Sequence, residues 1–184
     1  MTAKHRRAEF LLGRACAHQA LSAFRLSHLP ILRNQNRAPI WPESIVGSIS
    51  HTENWAVAAV GKQTDVKAIG IDIENLKRIV NFGIQRHVCV AEENEWLSQF
   101  GSDQFDTFLK IVFSAKESIF KCLNPLTGVY LDFLDARVAL KEDSKEFEFT
   151  LLKDCGSDFP VGFQYKGSYQ IVKNLVLTSI WVSA

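Results

Sequence analysis

Two short segments of this chain carry the residue types that can do chemistry at useful spacing. In Ala68-Ile69-Gly70-Ile71-Asp72-Ile73-Glu74 the two carboxylates stand two positions apart, and in Phe113-Ser114-Ala115-Lys116-Glu117-Ser118-Ile119-Phe120-Lys121 an acid lies between two lysines. Alternate residues of a strand share a face at about 3.3 Å rise per residue, so Asp72 and Glu74 can bind one hard cation together. The three isoleucines then fill the opposite face, and Gly70 is expected to leave the carboxylate face open for a bulky ligand. On a helix, Glu117 and Lys121 are four apart and share a face. Read together, the segments point to magnesium-dependent group transfer on a phosphate ester.

Each residue also has a plainer reading. Asp72 and Glu74 can be the solvent side of a half-buried strand. Ser114-x-x-Glu117 fits a capping box, and Glu117 with Lys121 fits an i,i+4 ion pair worth a few tenths of a kcal/mol. His51, after Gly47-Ser48-Ile49-Ser50, sits where a strand gives way to a turn and can be an ordinary loop histidine. Arg14, Arg33 and Arg37 can be solvated charges. The joint occurrence of a Gly-Ser-x-Ser-His turn, an acidic strand and a Lys-Glu helix, in that order, weakens all of these plainer readings.

The elements that must hold these groups follow from periodicity. Residues 7 to 27 read as a helix carrying Phe10, Leu11, Ala15, Ala17, Leu21 and Phe24; residues 28 to 43, with prolines at 30, 39 and 42, read as an extended loop. Short strands are expected around Val46 to Ser50 and Ala56 to Val60, before the acidic strand. A short helix is expected over Glu92 to Phe100. Phe105, Phe108, Leu109, Val112, Ala115, Ile119 and Leu123 mark the clearest helical stripe, which should end at Pro125. Beyond it, alternation over Val129–Leu140, Glu146–Leu152, Val161–Tyr165 and two runs within 169–182 gives a β meander.

Composition sets the outer limits. With 184 residues and a formal charge of +1, the chain has room for one core and lacks the basic excess of a general nucleic-acid binder. Basic residues crowd the first forty positions, which is where a polyanion would be held. Cys16, Cys89, Cys122 and Cys155 form no Cys-x-x-Cys pair and read as reduced thiols. No window nears the roughly twenty apolar residues of a membrane span, and Arg14 and His18 interrupt any signal-peptide core. A soluble protein of the cytoplasm is expected.

Beyond composition, the chain resembles the 4′-phosphopantetheinyl transferases that activate siderophore, surfactin and other nonribosomal peptide synthetases, most nearly the Sfp and enterobactin-synthase component D type. Arg7-Ala8-Glu9 to Leu21, Pro39-Ile40-Trp41-Pro42, Gly47 to His51, Ile69 to Glu74 and Phe113 to Lys121 carry the likeness. It implies an α/β (α+β) fold of two pseudo-symmetric halves, each a helix on a small, mainly antiparallel sheet, within one domain spanning 1–184 with approximate halves 1–75 and 76–184. It implies transfer of phosphopantetheine from coenzyme A to a serine of an apo carrier protein, of a nonribosomal peptide synthetase, polyketide synthase or fatty-acid synthase, releasing adenosine 3′,5′-bisphosphate. Asp72, Glu74 and Glu117 would hold Mg2+, or Mn2+. Glu117 would be the general base, with Lys116 and Lys121 as cations for the phosphates. Arg14, Arg33, Arg37, Ser50 and His51 would bind the nucleotide end, and Glu93 would support the site. A monomer is expected. A coenzyme A-binding protein without catalysis and a magnesium-dependent nucleotide phosphohydrolase are the alternatives.

Overall fold

The computed structural model describes residues 3–35, 38–78 and 83–184. Arg37 lies outside the described residues. The first helix, α1 (Ala3–Leu21), is followed by a single 3-10 turn (Ser22–Phe24). The expected loop holds one minimal pairing, β1 (Leu32–Arg33) with β2 (Pro39–Ile40). Then β3 (Ile45–Thr52) and β4 (Trp55–Lys62) form an antiparallel hairpin on which α1 packs.

The buried ridge of α1 is Glu9, Gly13, Ala17 and Leu21, one residue per turn. Ala17 and Leu21 belong to the stripe expected from the sequence, but Leu11 does not, being 56% exposed, and its place is taken by Glu9 and Gly13. Close approach explains the choice: a Cβ on Gly13 would lie 2.9 Å from the Ile49 methyl Cγ2, so only a small residue lets the helix settle on β3. His51 also departs from expectation, because it lies inside β3, opposite Ala56, rather than in the turn.

The second unit is larger. β5 (Val66–Asn75) pairs antiparallel with β9 (Leu175–Ser183), and with β6 (Ala136–Lys141), β7 (Glu146–Leu151) and β8 (Gln164–Val172) it forms a five-stranded sheet of order β5-β9-β8-β7-β6. The meander expected near the C-terminus is present. β5, which falls within residues 1–75, is thus hydrogen-bonded into the sheet of the second half. Helices α2 (Gln85–Val88), α3 (Ala91–Leu97) and α4 (Ser102–Thr127) precede β6. α4 lies across β5 and β9. Ile111, Val112, Ala115, Ile119 and Leu123 on the helix meet Phe147, Phe149, Tyr169, Val176 and Ile180 from the sheet in one core. Burial of each large side chain there contributes about 1.5–3 kcal/mol, which holds the helix against the sheet.

Two expectations about this interface are corrected. α4 does not end before Pro125 but carries it in its last turn, where the missing N–H costs a single helical bond; Gly128, in the left-handed region at φ 69°, then closes the helix with its N–H on the Asn124 carbonyl. Gly70 opens no face for a ligand either. A Cβ there would lie 1.9 Å from the Ser118 carbonyl oxygen, so Gly70 exists to admit the backbone of α4.

Candidate active site

Because α4 covers the Gly70 face of β5, Asp72 is 3% exposed and its carboxylate must be satisfied from within. Oδ1 accepts from Lys121 Nζ at 2.6 Å and from the Ser50 hydroxyl at 2.7 Å, and Oδ2 accepts from the Ser114 hydroxyl at 2.8 Å. The solvent-face reading of Asp72 is thereby excluded. Lys121 also donates to Ser50 Oγ at 3.1 Å and stands 3.9 Å from Glu117 Oε2. Asp72, Ser50, Glu117 and Lys121, from β5, β3 and α4, therefore meet at one point. Glu117 lies in mid-helix, so it is no cap.

Electrostatics tie Glu74 to the same group. Burial, then the Asp72 charge, push its carboxyl up to about 7, against the opposing pull of Arg78 and Lys121. Burial likewise raises Glu117, with Lys121 pulling it down and Asp72 pushing it up. Partly buried carboxyls that repel one another form the environment in which a carboxylate acts as a base near neutral pH. Among the described residues, no three His, Cys, Asp or Glu side chains are arranged as a ready metal cage. The ammonium of Lys121 sits against Asp72 instead.

Lys116 departs from its expected role as a cation for phosphate. It is 3% exposed, and its three N–H groups are spent on Glu93 Oε2 at 2.7 Å, the Val88 carbonyl at 2.8 Å and the Phe133 carbonyl at 2.9 Å. None remains for a phosphate. Glu93 is equally occupied, accepting from Val90 N–H at 2.8 Å and Val138 N–H at 2.6 Å. Burial raises Glu93 and lowers Lys116, each effect partly offset by the other's charge. This pair fastens α4 to α3, to the end of α2 and to β6. Beside it lies a cleft whose walls include Glu117, Phe120, Tyr130, Leu131 and Phe133.

The remaining expected residues lie on the α1 side. Phe10 is flanked by two guanidiniums, with Arg33 Cζ 3.8 Å and Arg14 Cζ 5.0 Å from its ring centre. Arg14 gives one N–H to the Leu32 carbonyl at 3.3 Å, while its buried Nη1 has no partner. Burial, then the Arg33 charge, lower the Arg14 pKa. Among the described residues neither arginine is paired with a carboxylate, so the cluster is short of negative charge. His51 is exposed, with Nδ1 3.9 Å from the buried Glu9 carboxylate.

The chain is similar to known proteins over most of its length. A model of the 4′-phosphopantetheinyl transferase N-terminal domain matches residues 1–61, and one of the 4′-phosphopantetheinyl transferase superfamily matches residues 68–174. The chain belongs to the 4′-phosphopantetheinyl transferase superfamily. It is 36% identical over 180 residues to 4′-phosphopantetheinyl transferase Svp of Streptomyces mobaraensis, covering 96% of this chain and 72% of that one. Against 4′-phosphopantetheinyl transferase PptT of Mycobacterium tuberculosis the identity is 32% over 183 residues, covering 95% and 78%. Enterobactin synthase component D of Escherichia coli is 34% identical over 137 residues, covering 71% and 61%.

Sequence reasoning missed two groups beside the carboxylates of this transferase. Ser114 faces Asp72 from three positions before Glu117, and Lys110, seven before Glu117 on the same helix face, donates to the Leu76 carbonyl with its charge near Glu74. Helical spacing from Glu117 was the signal for both.

Proposed function

We propose that this transferase moves phosphopantetheine from coenzyme A to a serine of an apo carrier protein, with Glu117 as general base. One observation carries the assignment: Lys121 bridges Asp72 and Glu117 across the junction of α4 and β5. Arg14 and Arg33, neither paired with a carboxylate among the described residues, and His51 on β3 of the same unit supply the groups that the nucleotide phosphates of coenzyme A need. Arg37, in the same basic segment of sequence, is part of this reading. The cleft beside Glu117, apolar along Phe120, Leu131 and Phe133, suits the pantetheine arm.

A divalent cation fits the chemistry of the donor set. Asp72, Glu74 and Glu117 are hard oxygen donors, the Asp72 charge pushes the carboxyls of both glutamates up, and a cation relieves that repulsion. In this reading those three residues would hold Mg2+, or Mn2+, which would supply positive charge to the phosphoryl oxygens. The chain's own groups do the rest. Glu117 accepts the proton of the carrier serine hydroxyl as its oxygen attacks the β-phosphorus. The bond from that phosphorus to the bridging oxygen breaks, and adenosine 3′,5′-bisphosphate leaves with the electron pair. Lys121 offsets the negative charge that builds beside Asp72.

The test is incubation with a fluorescent coenzyme A conjugate and a panel of apo carrier domains from nonribosomal peptide, polyketide and fatty-acid synthases. Labelling of a carrier, abolished when its acceptor serine is replaced by alanine, is expected. Binding of coenzyme A without labelling of any carrier points to a non-catalytic binder, and carrier-independent cleavage of coenzyme A to a phosphohydrolase.

A further inference from the structure

β3 and β5 run side by side in the same direction without a ladder of backbone bonds between them. Two buried hydroxyls bridge the seam instead: Ser48 Oγ accepts from the Ile71 N–H at 3.1 Å, and Ser50 Oγ from the Ile73 N–H at 3.4 Å. Equivalent in the seam, the two serines differ in what else they touch. The Ser48 side chain makes no other hydrogen bond among the described residues. Ser50 donates to Asp72 Oδ1 at 2.7 Å and accepts from Lys121 Nζ at 3.1 Å.

A hydroxyl has one proton to give and two lone pairs to fill. In Ser50 all three are used inside the protein, and the residue is buried. Nothing is left for a phosphate, which corrects the expectation that this side chain is a coenzyme A ligand. We propose that Ser50 is a positioning residue. Together with Ser114 on the other oxygen, it fixes the plane of the Asp72 carboxylate and the approach of Lys121, and it ties both to the strand that carries His51. This inference rests on the function proposed above and adds how its carboxylate group is held in register with the nucleotide-binding unit.

Three variants, Ser48→Ala, Ser50→Ala and Ser50→Thr, test it with four measurements: melting temperature, kcat, KM for coenzyme A, and Mn2+ affinity by electron paramagnetic resonance without carrier protein. Ser48→Ala should melt lower and keep kcat and Mn2+ affinity, because it loosens only the seam. Ser50→Ala should lose about tenfold or more in both kcat and Mn2+ affinity, the effect of deleting one hydrogen bond to a charged group, while KM for coenzyme A stays within about twofold. Ser50→Thr, which keeps the hydroxyl, should recover most of the loss. A raised KM for coenzyme A with kcat and Mn2+ affinity unchanged in Ser50→Ala would overturn the proposal in favour of direct ligation. So would Ser48→Ala and Ser50→Ala behaving alike in every measurement. If Ser50→Ala does not fold, Ser50→Cys, with its weaker donor, takes its place, and native Mn2+ affinity in that variant counts against the proposal. Carrier labelling by the native protein and by Ser48→Ala judges the proposed function separately, since the Mn2+ contrast needs no carrier.

Discussion

Lys116→Met separates a structural lysine from a catalytic one. The native ammonium is enclosed, with Glu93 at 2.7 Å and two backbone carbonyls as its partners. Methionine matches the length of the stem but removes the charge, leaving Glu93 buried with only its two backbone N–H donors. Breaking one side of a buried pair costs about 3–5 kcal/mol. For a chain of 184 residues, where each kcal/mol moves the melting temperature by about 2–4 °C, that is a fall of roughly 6–20 °C. Two carbonyls also lose a donor, so the upper half of the range is expected. Adding Glu93→Gln should restore part of the loss, because the stranded charge disappears while the side-chain carbonyl still accepts one N–H. Urea unfolding of the native protein, both single variants and the double variant gives the coupling energy. The reasoning is refuted if Lys116→Met unfolds within about 1 kcal/mol of the native protein while carrier labelling is lost, since Lys116 would then be acting on substrate.

Gly70→Ala meets backbone at the Ser118 carbonyl, with no flexible side chain to yield, so destabilisation of about 3 kcal/mol is expected in denaturant titration; a native midpoint would mean that α4 does not lie against this glycine. Glu117 must be ionised to take a proton, and its carboxyl is raised by burial, so kcat should fall as pH drops through a value above the ordinary 4.5; a flat profile down to pH 5 contradicts this. The raised Glu74 carboxyl stabilises the cation-free fold fully below 4.5 and loses that contribution as pH climbs through about 7. Mg2+ should therefore raise the melting temperature more at pH 8 than at pH 6, and an equal or reversed effect would argue against a cation there. Arg14→Ala should weaken coenzyme A binding by about tenfold in calorimetry, with a smaller salt dependence than the native protein; unchanged affinity would place the nucleotide elsewhere.

Much of the site was legible because two periods are strict. A two-residue period put Asp72 and Glu74 on one face of β5, and a four-residue spacing put Glu117 beside Lys121. The same arithmetic, taken further, separates the lysines. At about 100° per residue Lys116 lies roughly 140° around the helix from Lys121, which sends it toward Glu93 rather than Asp72. Period alone does not say which element covers a face, so Gly70 read as an opening when it is the contact point of α4. Nor does it weigh residue size, and for that reason Leu11 looked buried while the helix settled on Gly13. The serine-bridged seam had no local signal at all, because Ser48 and Ser50 find Ile71 and Ile73 more than twenty positions along the chain.

Intact-mass analysis of an apo carrier domain, incubated with this protein, coenzyme A and Mg2+ beside a Glu117→Ala control, tests the central claim most directly. The account predicts a mass gain of one phosphopantetheine on the acceptor serine with the native protein and none with the variant. An equal gain with Glu117→Ala would contradict it, by showing that transfer proceeds without the proposed base.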